Sequence, residues 1–323
     1  MVYTCPKIDG TILLNWDSIR CSCSNAGGIV FFDNYKGEEI DFEKIDTKRE
    51  EIITAFKRGI APYCCFQCNY KQKVDNCNLK ISKTLKQIYI SNWRHCNCGC
   101  IYCDYGDLTK GEFSQSAKKS DYYDALPILK KFVEEGRIDQ NTEIVFLGGE
   151  CTVLEEFEPI VDLLFPIIEK RMLIFSSGII PSPSIKKLLS ADKCMLVTSL
   201  DSGCRETYRK IKRTDAFEQV INTLKEYKKS AGENFKHVTL KYILLPKIND
   251  NKEEISKFID IVRDLGVQNA FLEVDHRDIL ARNREKIPEY YYDLFEFFKK
   301  SAPELHTENS RHNKLMWESG YIF

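Results

Sequence analysis

Four cysteines lie close together in the segment WRHCNCGCIYC, residues 93–103. Cys96, Cys100 and Cys103 have the spacing C-x3-C-x2-C, and Cys98 lies inside it. Cysteine thiolates bind zinc ions and iron–sulfur clusters. A structural zinc site usually takes paired C-x2-C knuckles from two separate places, whereas these three cysteines belong to one short segment. The spacing indicates an iron–sulfur site, with a zinc site or inert cysteines as the alternatives.

The composition is that of an ordinary soluble globular protein, with 323 residues, 43% hydrophobic and 29% charged. A net charge of −1 gives no electrostatic reason to expect a nucleic-acid or membrane partner. Residues 1–10 lack the basic region of a signal peptide, and no apolar run approaches a membrane span. We expect a cytoplasmic protein, whose fourteen cysteines are then better candidates for metal ligands than for disulfides.

From residue 85 onward, strand and helix patterns alternate. The expected strands cover residues 87–91, 143–147, 173–176, 195–200, 238–245 and 270–274, and the expected helices residues 122–135, 159–170, 184–189, 217–229, 252–265 and 289–300. Six strand–helix units in sequence predict an α/β fold with a parallel sheet and helical crossovers. A partial (β/α)6 barrel and an open doubly wound sheet both fit this pattern.

The first 84 residues have a different character. A hairpin is expected with strands at residues 29–32 and 40–42 around the turn 34–37, followed by an amphipathic helix that ends at Gly59. Cysteines flank this unit on both sides, namely Cys21, Cys23, Cys64, Cys65, Cys68 and Cys77. A small element with cysteines at both ends predicts a module held together by metal.

Three further motifs follow expected strands. Gly148-Gly149-Glu150 comes after the second strand, Ser176 and Ser177 end the third, and Ser199-Leu200-Asp201 ends the fourth. Parallel α/β folds bind ligands at the carboxyl edge of the sheet, which is where these motifs lie. A plain glycine turn or a helix cap is the simpler alternative for each motif taken singly.

In this order the motifs resemble those of the radical S-adenosylmethionine (SAM) enzymes, over about residues 85–284. The resemblance favours the partial (β/α)6 TIM-like barrel. It implies a [4Fe–4S] cluster on Cys96, Cys100 and Cys103, with a fourth iron that binds SAM. An electron from the cluster would cleave SAM to a 5′-deoxyadenosyl radical, which abstracts hydrogen from a substrate. A Cys98 thiolate would close the fourth iron, so Cys98 is expected to point away and to be replaceable.

The resemblance also implies residues that contact SAM. They are Tyr102, Gly148, Gly149, Glu150, Ser176, Ser177, Ser199, Asp201 and Arg209. Arg209, with Arg213 as its alternative, would pair with the SAM carboxylate through its bidentate guanidinium. Lys241 points either into the barrel or outward to solvent. Residues with either a substrate-side or a surface role follow the sixth strand, namely Glu273, Asp275, His276 and Arg277.

The N-terminal cysteines resemble a SPASM or twitch module, which in this family usually follows the barrel and here precedes it. The resemblance divides the chain into an auxiliary module (1–84), a barrel (85–301) and a C-terminal tail packed on the barrel (302–323). It implies one auxiliary [4Fe–4S] cluster, with zinc as the alternative. The expected ligands are Cys65 and Cys68, then Cys77 and either Cys21 or Cys23.

A SPASM-like module implies hydrogen abstraction from a peptide or protein side chain, with electrons from a donor such as a flavodoxin or ferredoxin. A sugar or nucleotide is the alternative substrate. A non-catalytic zinc or iron–sulfur binding module is the alternative from another class of protein.

Overall fold

The computed structural model describes residues 1–16, 18–21, 30–33, 40–65, 68, 71–103, 123–275 and 289–306. Several positions singled out above lie outside these ranges, namely Cys23, the turn 34–37, His276, Arg277 and residues 307–323. The chain divides into two compact units. The first comprises Met1–Arg94, Ala117–Gly149 and Leu154–Met172, and the second His95–Ser116, Glu150–Val153 and Leu173–Phe323.

The first unit contains parallel and antiparallel strands. They are β1 (Val2–Thr4), β2 (Thr11–Asn15), β3 (Ser18–Arg20), β4 (Val30–Asp33), β5 (Gln72–Val74), β6 (Gln87–Ser91) and β7 (Glu143–Phe146). Within this unit the strand order is β7-β6-β2-β3-β4, and β1 pairs with β5 separately. The strand β6 is parallel to both β7 and β2. The first expected barrel strand therefore has an N-terminal strand beside it, which the sequence analysis did not foresee.

The expected N-terminal hairpin is wrong in its second strand. Phe42 begins helix α1 (Phe42–Lys57), and β4 pairs instead with β3 in antiparallel orientation. The reason is a helix cap, because the Asp41 carboxylate accepts a hydrogen bond from the Lys44 amide at the first turn. The helix ends, as expected, just before Gly59, whose φ of +75° suits glycine.

The first unit also contains two more α-helices, α2 (Leu126–Glu134) and α3 (Phe157–Leu164), and a short 3-10 helix at Tyr63–Cys65. Each of the two α-helices overlaps an expected helix but is shorter. Their apolar stripes are buried, as the periodicity of the sequence requires.

The second unit alternates strands and helices. Its strands are β8 (Met172–Phe175, of which Met172 belongs to the first unit), β9 (Cys194–Ser199), β10 (Val238–Leu244) and β11 (Asn269–Val274). They lie in the order β11-β10-β9-β8, and β10 is parallel to both β9 and β11. The helices are α4 (Pro183–Ser190), α5 (Arg205–Lys212), α6 (Phe217–Ala231), α7 (Lys252–Leu265) and α8 (Glu289–Ser301). Of these, α5 was not expected from the sequence.

The two faces of this second-unit sheet differ. On β10, Leu240 and Tyr242 are fully buried, and the Tyr242 ring lies 4.9 Å from that of Phe258 on α7. Lys241, which points to the opposite face, is only partly buried. We call that opposite face, which carries Lys241 and Ile243, the inner face.

The fold class is α/β with mostly parallel strands, consistent with the partial TIM-like barrel expected from the sequence. In the part of the chain that the structure describes, no helix has the length and apolar character needed to cross a membrane. The boundaries placed after residues 84 and 301 stay predictions.

Candidate cofactor site

The cysteine segment, residues 95–103, is held by backbone contacts to α5. The Gly99 amide donates to the Lys212 carbonyl at 2.9 Å, and the Ile101 amide donates to the Ile211 carbonyl at 3.0 Å. Carbonyls at the end of a helix have no partner within the helix and need one elsewhere. The end of α5 therefore fixes the position of the cysteine segment.

A buried ion pair lies beside the last cysteine of the motif. Lys212 Nζ lies 2.5 Å from Asp201 Oδ2, and the two side chains are 4% and 0% exposed. Tyr102 donates its hydroxyl hydrogen to the same carboxylate oxygen at 2.5 Å and accepts from Lys212 Nζ at 2.7 Å. Burial by itself lowers the pKa of Lys212, but Asp201 and the nearby thiols raise it above its ordinary value. Lys212 is therefore a buried cation.

Asp201 is fixed from several directions. Its φ of +59° lies in the left-handed region, which Asp adopts more readily than most residues. Its Oδ1 accepts from the Ile243 amide at 2.7 Å, and its carbonyl accepts from the Asn249 side chain at 2.8 Å. Both carboxylate oxygens thus have protein partners, and through them Asp201 holds Tyr102 and Lys212 in position. Its expected contact with SAM stays a prediction.

The thiol of Cys100 has a pKa below its ordinary value. A hydrogen bond from Cys98 and the charge of Lys212 lower the pKa of Cys100 to about 6, against the effect of burial. A thiolate is the form that binds metal. The lowered pKa of Cys100 therefore favours its thiolate, the form that can act as a metal ligand.

The expectation that Cys98 points away is wrong. Cys98 is only 7% exposed, and its amide donates to Cys96 Sγ at 3.4 Å. Its thiol is in hydrogen-bonding contact with the thiols of Cys100 and Cys96, which together with burial raise the pKa of Cys98. The physical reason is the hydrogen bond from the Cys98 amide to Cys96 Sγ, which bends the backbone and places the Cys98 side chain beside those of Cys96 and Cys100.

The donor chemistry of the segment fits an iron–sulfur cluster. Cys96, Cys100 and Cys103 lie on one segment held against α5, and Cys100 has a lowered pKa. Among the residues described, no group of three or more Cys, His, Asp or Glu side chains could hold a single metal ion. A [4Fe–4S] cluster takes cysteine thiolates as its ligands, one at each iron. Three cysteines on one segment therefore fit three of its four irons.

Glu150 of the glycine motif is buried and connects several parts of the second unit. Its Oε1 accepts from Ser176 Oγ at 2.9 Å and from Thr152 Oγ1 at 2.7 Å, and its Oε2 accepts from the Ser177 amide. Its own amide donates to the His95 carbonyl at 2.8 Å, next to the cysteine motif. The structure therefore brings together Glu150, Ser176 and Ser177.

Asn97 joins this group and was missed by the sequence analysis. Ser177 Oγ donates to Asn97 Oδ1 at 2.9 Å. Asn97 lies between two cysteines of the motif, so this bond links the end of β8 to the cysteine segment. Its position inside the motif is the only signal that the sequence offers for it.

Gly148 belongs to the first unit and is confined by its neighbours there. Its φ is +100°, and a Cβ atom at this position would lie 2.9 Å from Ser91 Oγ and 3.0 Å from the Trp93 carbonyl oxygen. Both the backbone conformation and the close approach therefore require glycine.

We expect Gly148→Ala to lower the free energy of unfolding by about 2–4 kcal/mol, because it adds a steric clash to the strain of a positive φ. Gly136→Ala is the matched control, since Gly136 has a φ of +66° but nothing within 4 Å of its Cβ position. That variant should lose about 1 kcal/mol. Urea denaturation measures both variants, and equal losses would contradict the clash.

Arg209 and Arg213 are both exposed, and the buried cation of this region is Lys212 instead. On α5 the buried positions include Tyr208, Ile211 and Lys212. The apolar pair at i and i+3 was a signal for a buried helix face, and Lys212 lies next to it. The pairing of Arg209 with a SAM carboxylate stays a prediction.

The inner face of the sheet carries a second ion pair. Lys241 Nζ lies 2.9 Å from Glu273 Oε2, and both side chains are about one-fifth exposed. Lys241 lies opposite Ser199 in the strand register. Ile243, on the same face, belongs to a cluster with Ile211 and Tyr102. Lys241 therefore points toward the side of the sheet on which the cysteine segment packs. Asp275 is buried.

The N-terminal cysteines come together within the first unit. Those in one buried cluster, packed with Ile52, Ile53 and Phe56, are Cys5, Cys21, Cys65 and Cys77. Cys68 is partly buried, and its charge adds to the effect of burial in raising the pKa of Cys5. Cys5, which was not an expected ligand, thus belongs to the same group. The side chain of Cys64 is outside the described part.

The chain matches one protein family and is similar to several known proteins. The model of the radical SAM superfamily matches residues 90–259, more than half of the chain. A GTPase Obg from Brachyspira hyodysenteriae is 28% identical over 178 residues, 53% of this chain and 25% of that protein. A probable GTP 3′,8-cyclase from Saccharolobus islandicus is 26% identical over 193 residues, 60% of this chain and 58% of that protein. The chain thus spans less than two thirds of either relative.

Among solved structures, SuiB from Streptococcus suis, bound to precursor peptide SuiA, has a TM-score of 0.49 and 12% identity, covering 85% of this chain and 55% of that one. A radical SAM methyltransferase from Sphaerobacter thermophilus has a TM-score of 0.43 and 16% identity, covering 64% of this chain and 61% of that one. Likenesses of this size carry no information about a substrate.

Proposed function

Because the chain belongs to the radical SAM superfamily and is an enzyme of that class, we propose that Cys96, Cys100 and Cys103 hold the [4Fe–4S] cluster at which it cleaves SAM. When bound, the cluster and SAM supply a 5′-deoxyadenosyl radical that abstracts hydrogen from the substrate. The observation that carries the proposal is the cysteine segment held on α5, where the pKa of Cys100 is lowered to about 6.

The protein's own groups position this site and set its charge. The buried Lys212 cation favours the anionic form of Cys100. The bond from Ser177 to Asn97 and the amide of Glu150 hold the cysteine segment in place. We assign the SAM amino group to the backbone of Gly148 and Gly149, as the resemblance implies.

The remaining assignments to SAM also follow the resemblance. Ser176 and Ser177 would lie near the ribose, and Ser199 lies on the inner face opposite Lys241 in register. Arg209, which is exposed, is assigned to the SAM carboxylate on the resemblance alone. Each of these roles is part of the proposal.

We further propose that the substrate is a peptide or protein side chain bound over the inner face. The partly exposed pair of Lys241 and Glu273 offers both donors and acceptors there, next to the apolar Ile243. These groups suit a peptide, which combines charged, polar and apolar parts. The similarity to a protein named for GTP supports a nucleotide as the second candidate. A flavodoxin or ferredoxin would deliver the electron.

The experiment is a product assay under anaerobic conditions. Reconstituted, reduced protein should convert SAM to 5′-deoxyadenosine and methionine, detected by chromatography. When a peptide with a deuterium-labelled side chain is added, deuterium should appear in 5′-deoxyadenosine. Deuterium-labelled GTP should give no such transfer. A colourless protein that contains zinc and forms no 5′-deoxyadenosine would overturn the proposal.

We also propose an auxiliary [4Fe–4S] cluster in the first unit, bound by four cysteines of the group Cys5, Cys21, Cys65, Cys68 and Cys77. Their gathering around one buried cluster supports this proposal, and the burial of Cys5 beside Cys68 adds Cys5 to the candidate ligands. A structural zinc ion is the alternative.

We expect Cys65→Ala with Cys68→Ala to reduce the iron content by about half, since each cluster holds the same number of irons. Basal SAM cleavage should remain, because the second-unit cysteines are intact. Iron and zinc analysis together with the product assay provide the measurement. Unchanged iron, or loss of zinc in place of iron, would contradict an auxiliary cluster.

A further inference from the structure

The side-chain amide of Asn97 is a buried hydrogen-bond donor inside the cysteine segment. Its oxygen, Oδ1, accepts from Ser177 Oγ at 2.9 Å. Its nitrogen, Nδ2, is inaccessible to solvent and has no hydrogen-bond partner among the residues that the structure describes. A buried donor that has lost its bonds to water is costly unless an acceptor replaces them. The Asn97 amide therefore requires an acceptor that the described protein groups do not provide.

Contacts on both sides hold Asn97 in place. Ser177, which donates to Asn97 Oδ1, is itself fixed by the bond from its amide to Glu150 Oε2. The Glu150 amide donates to the carbonyl of His95 at 2.8 Å, two residues before Asn97. Because these bonds fix the segment and the Oδ1 end of the side chain, the amide nitrogen has little freedom to find another protein partner.

Several backbone amides of the cysteine segment are already engaged. Three of them donate to backbone carbonyls, namely those of Gly99, Ile101 and Cys103. The Cys98 amide donates to a sulfur, Cys96 Sγ, at 3.4 Å. The amide of Asn97, which directly follows Cys96, is therefore a further N–H donor of the segment that can bind a sulfur acceptor.

We propose, resting on the function assigned above, that Asn97 Nδ2 donates a hydrogen bond to a sulfur of the [4Fe–4S] cluster. Hydrogen bonds to the sulfurs are among the factors that set the reduction potential of such a cluster. Reduction adds negative charge, and a hydrogen bond to a more negative acceptor is stronger. Asn97 therefore stabilises the reduced cluster more than the oxidised one and raises its reduction potential. Ser177 acts through Asn97 as a positioning residue.

A purely structural role for Asn97 predicts a different pattern of effects. If Asn97 only tied the segment to Ser177, the loss of that bond would have the same effect from either side. Ser177→Ala breaks the bond to Oδ1 but keeps the Nδ2 donor, whereas Asn97→Leu removes both and keeps the approximate size of the side chain. A bond from Nδ2 to SAM or to a buried water, in place of the cluster, predicts an unchanged potential in the absence of SAM.

The first measurement is the reduction potential of the cluster without SAM. The electron paramagnetic resonance signal of the reduced cluster is followed during titration with dithionite and redox mediators, and the relevant signal is the one that SAM shifts in a parallel sample. In Asn97→Leu the ratio of reduced to oxidised cluster at a fixed potential should fall about tenfold, which is a shift of about −59 mV for one electron. Ser177→Ala should give a smaller shift in the same direction.

Asn234→Leu is the matched control for this measurement. It removes an amide of the same unit that donates instead to the carbonyls of Leu189 and Ser190, and it should keep the wild-type potential. An unchanged potential in Asn97→Leu, or an equal shift in Ser177→Ala, would overturn the proposal. Failure of the proposed function looks different, because the wild type itself would then show no signal that responds to SAM.

The second measurement needs no variant that could lose the cluster. Wild-type protein is labelled with ¹⁵N in its asparagine side-chain amides alone, and electron–nuclear double resonance of the reduced cluster should show a ¹⁵N coupling. Asn97→Ser, a milder change than Asn97→Leu, should lose this coupling, and Asn234→Leu should keep it. A wild-type spectrum without ¹⁵N coupling, or a coupling that persists in Asn97→Ser, would contradict the bond from Asn97 to the cluster.

Discussion

Replacing Cys96, Cys100 and Cys103 together by Ala is expected to abolish the formation of 5′-deoxyadenosine, to the background of the assay. The three thiols lie on the one segment that α5 holds by the bonds from Gly99 and Ile101, and nothing else in that segment but Cys98 offers a thiolate. One thiolate cannot retain a [4Fe–4S] cluster. Chromatography of the products and iron analysis measure the loss.

Cys204→Ala is the matched control, because it removes a thiol of the same unit that lies outside the motif and contacts Glu254 on α7. It should keep both iron and SAM cleavage. If the triple variant retained cleavage, or if Cys204→Ala lost it to the same degree, the assignment of the cluster to Cys96, Cys100 and Cys103 would be wrong.

Lys212→Met is expected to lower the free energy of unfolding by about 3–5 kcal/mol, because it leaves a buried carboxylate without its cation. Asp201 is fully buried, so water cannot replace the lost charge. The double variant of Lys212→Met with Asp201→Asn should lose less than the sum of the two single variants, since neither charge is then left alone. Urea denaturation provides the free energies.

An exposed ion pair supplies the comparison for this prediction. Arg205 and Asp215 are joined by two hydrogen bonds of 2.7 and 2.6 Å, but their side chains are 59% and 41% exposed. Arg205→Met should therefore lose no more than about 1 kcal/mol. If Arg205→Met and Lys212→Met were equally destabilising, the buried pair would have no special role.

The sequence predicted the elements whose signals are local. The expected strand at residues 87–91 and the expected helix at residues 252–265 match β6 and α7, because apolar periodicity and capping residues define them. The glycine motif was recognised from its resemblance to the family and its place after a strand, and the φ of +100° at Gly148 gives the local reason for a glycine there.

The features that were missed depend on contacts between distant parts of the chain. Lys212 is one of several basic residues in the sequence after Asp201, and only the fold places Asp201 and Tyr102 around it. The orientation of Cys98 depends on a bond from its own amide to Cys96, which spacing does not reveal. The strand β2 was overlooked because its partner β6 lies more than seventy residues away in sequence.

The inner face also shows what the fold adds to the sequence. Lys241 had two equally good orientations in a run of apolar residues. Its ion pair with Glu273, at 2.9 Å, and the position of Ile243 on the same face resolve the choice. Strand alternation alone gives two faces but does not say which one the cysteine segment covers.

The most direct measurement of the central claim is the electron paramagnetic resonance spectrum of the reduced wild-type protein before and after addition of SAM. SAM that binds the cluster on Cys96, Cys100 and Cys103 should shift the signal of that cluster. The same addition should leave the spectrum of the triple Ala variant unchanged. A wild-type iron–sulfur signal that does not respond to SAM would contradict the account.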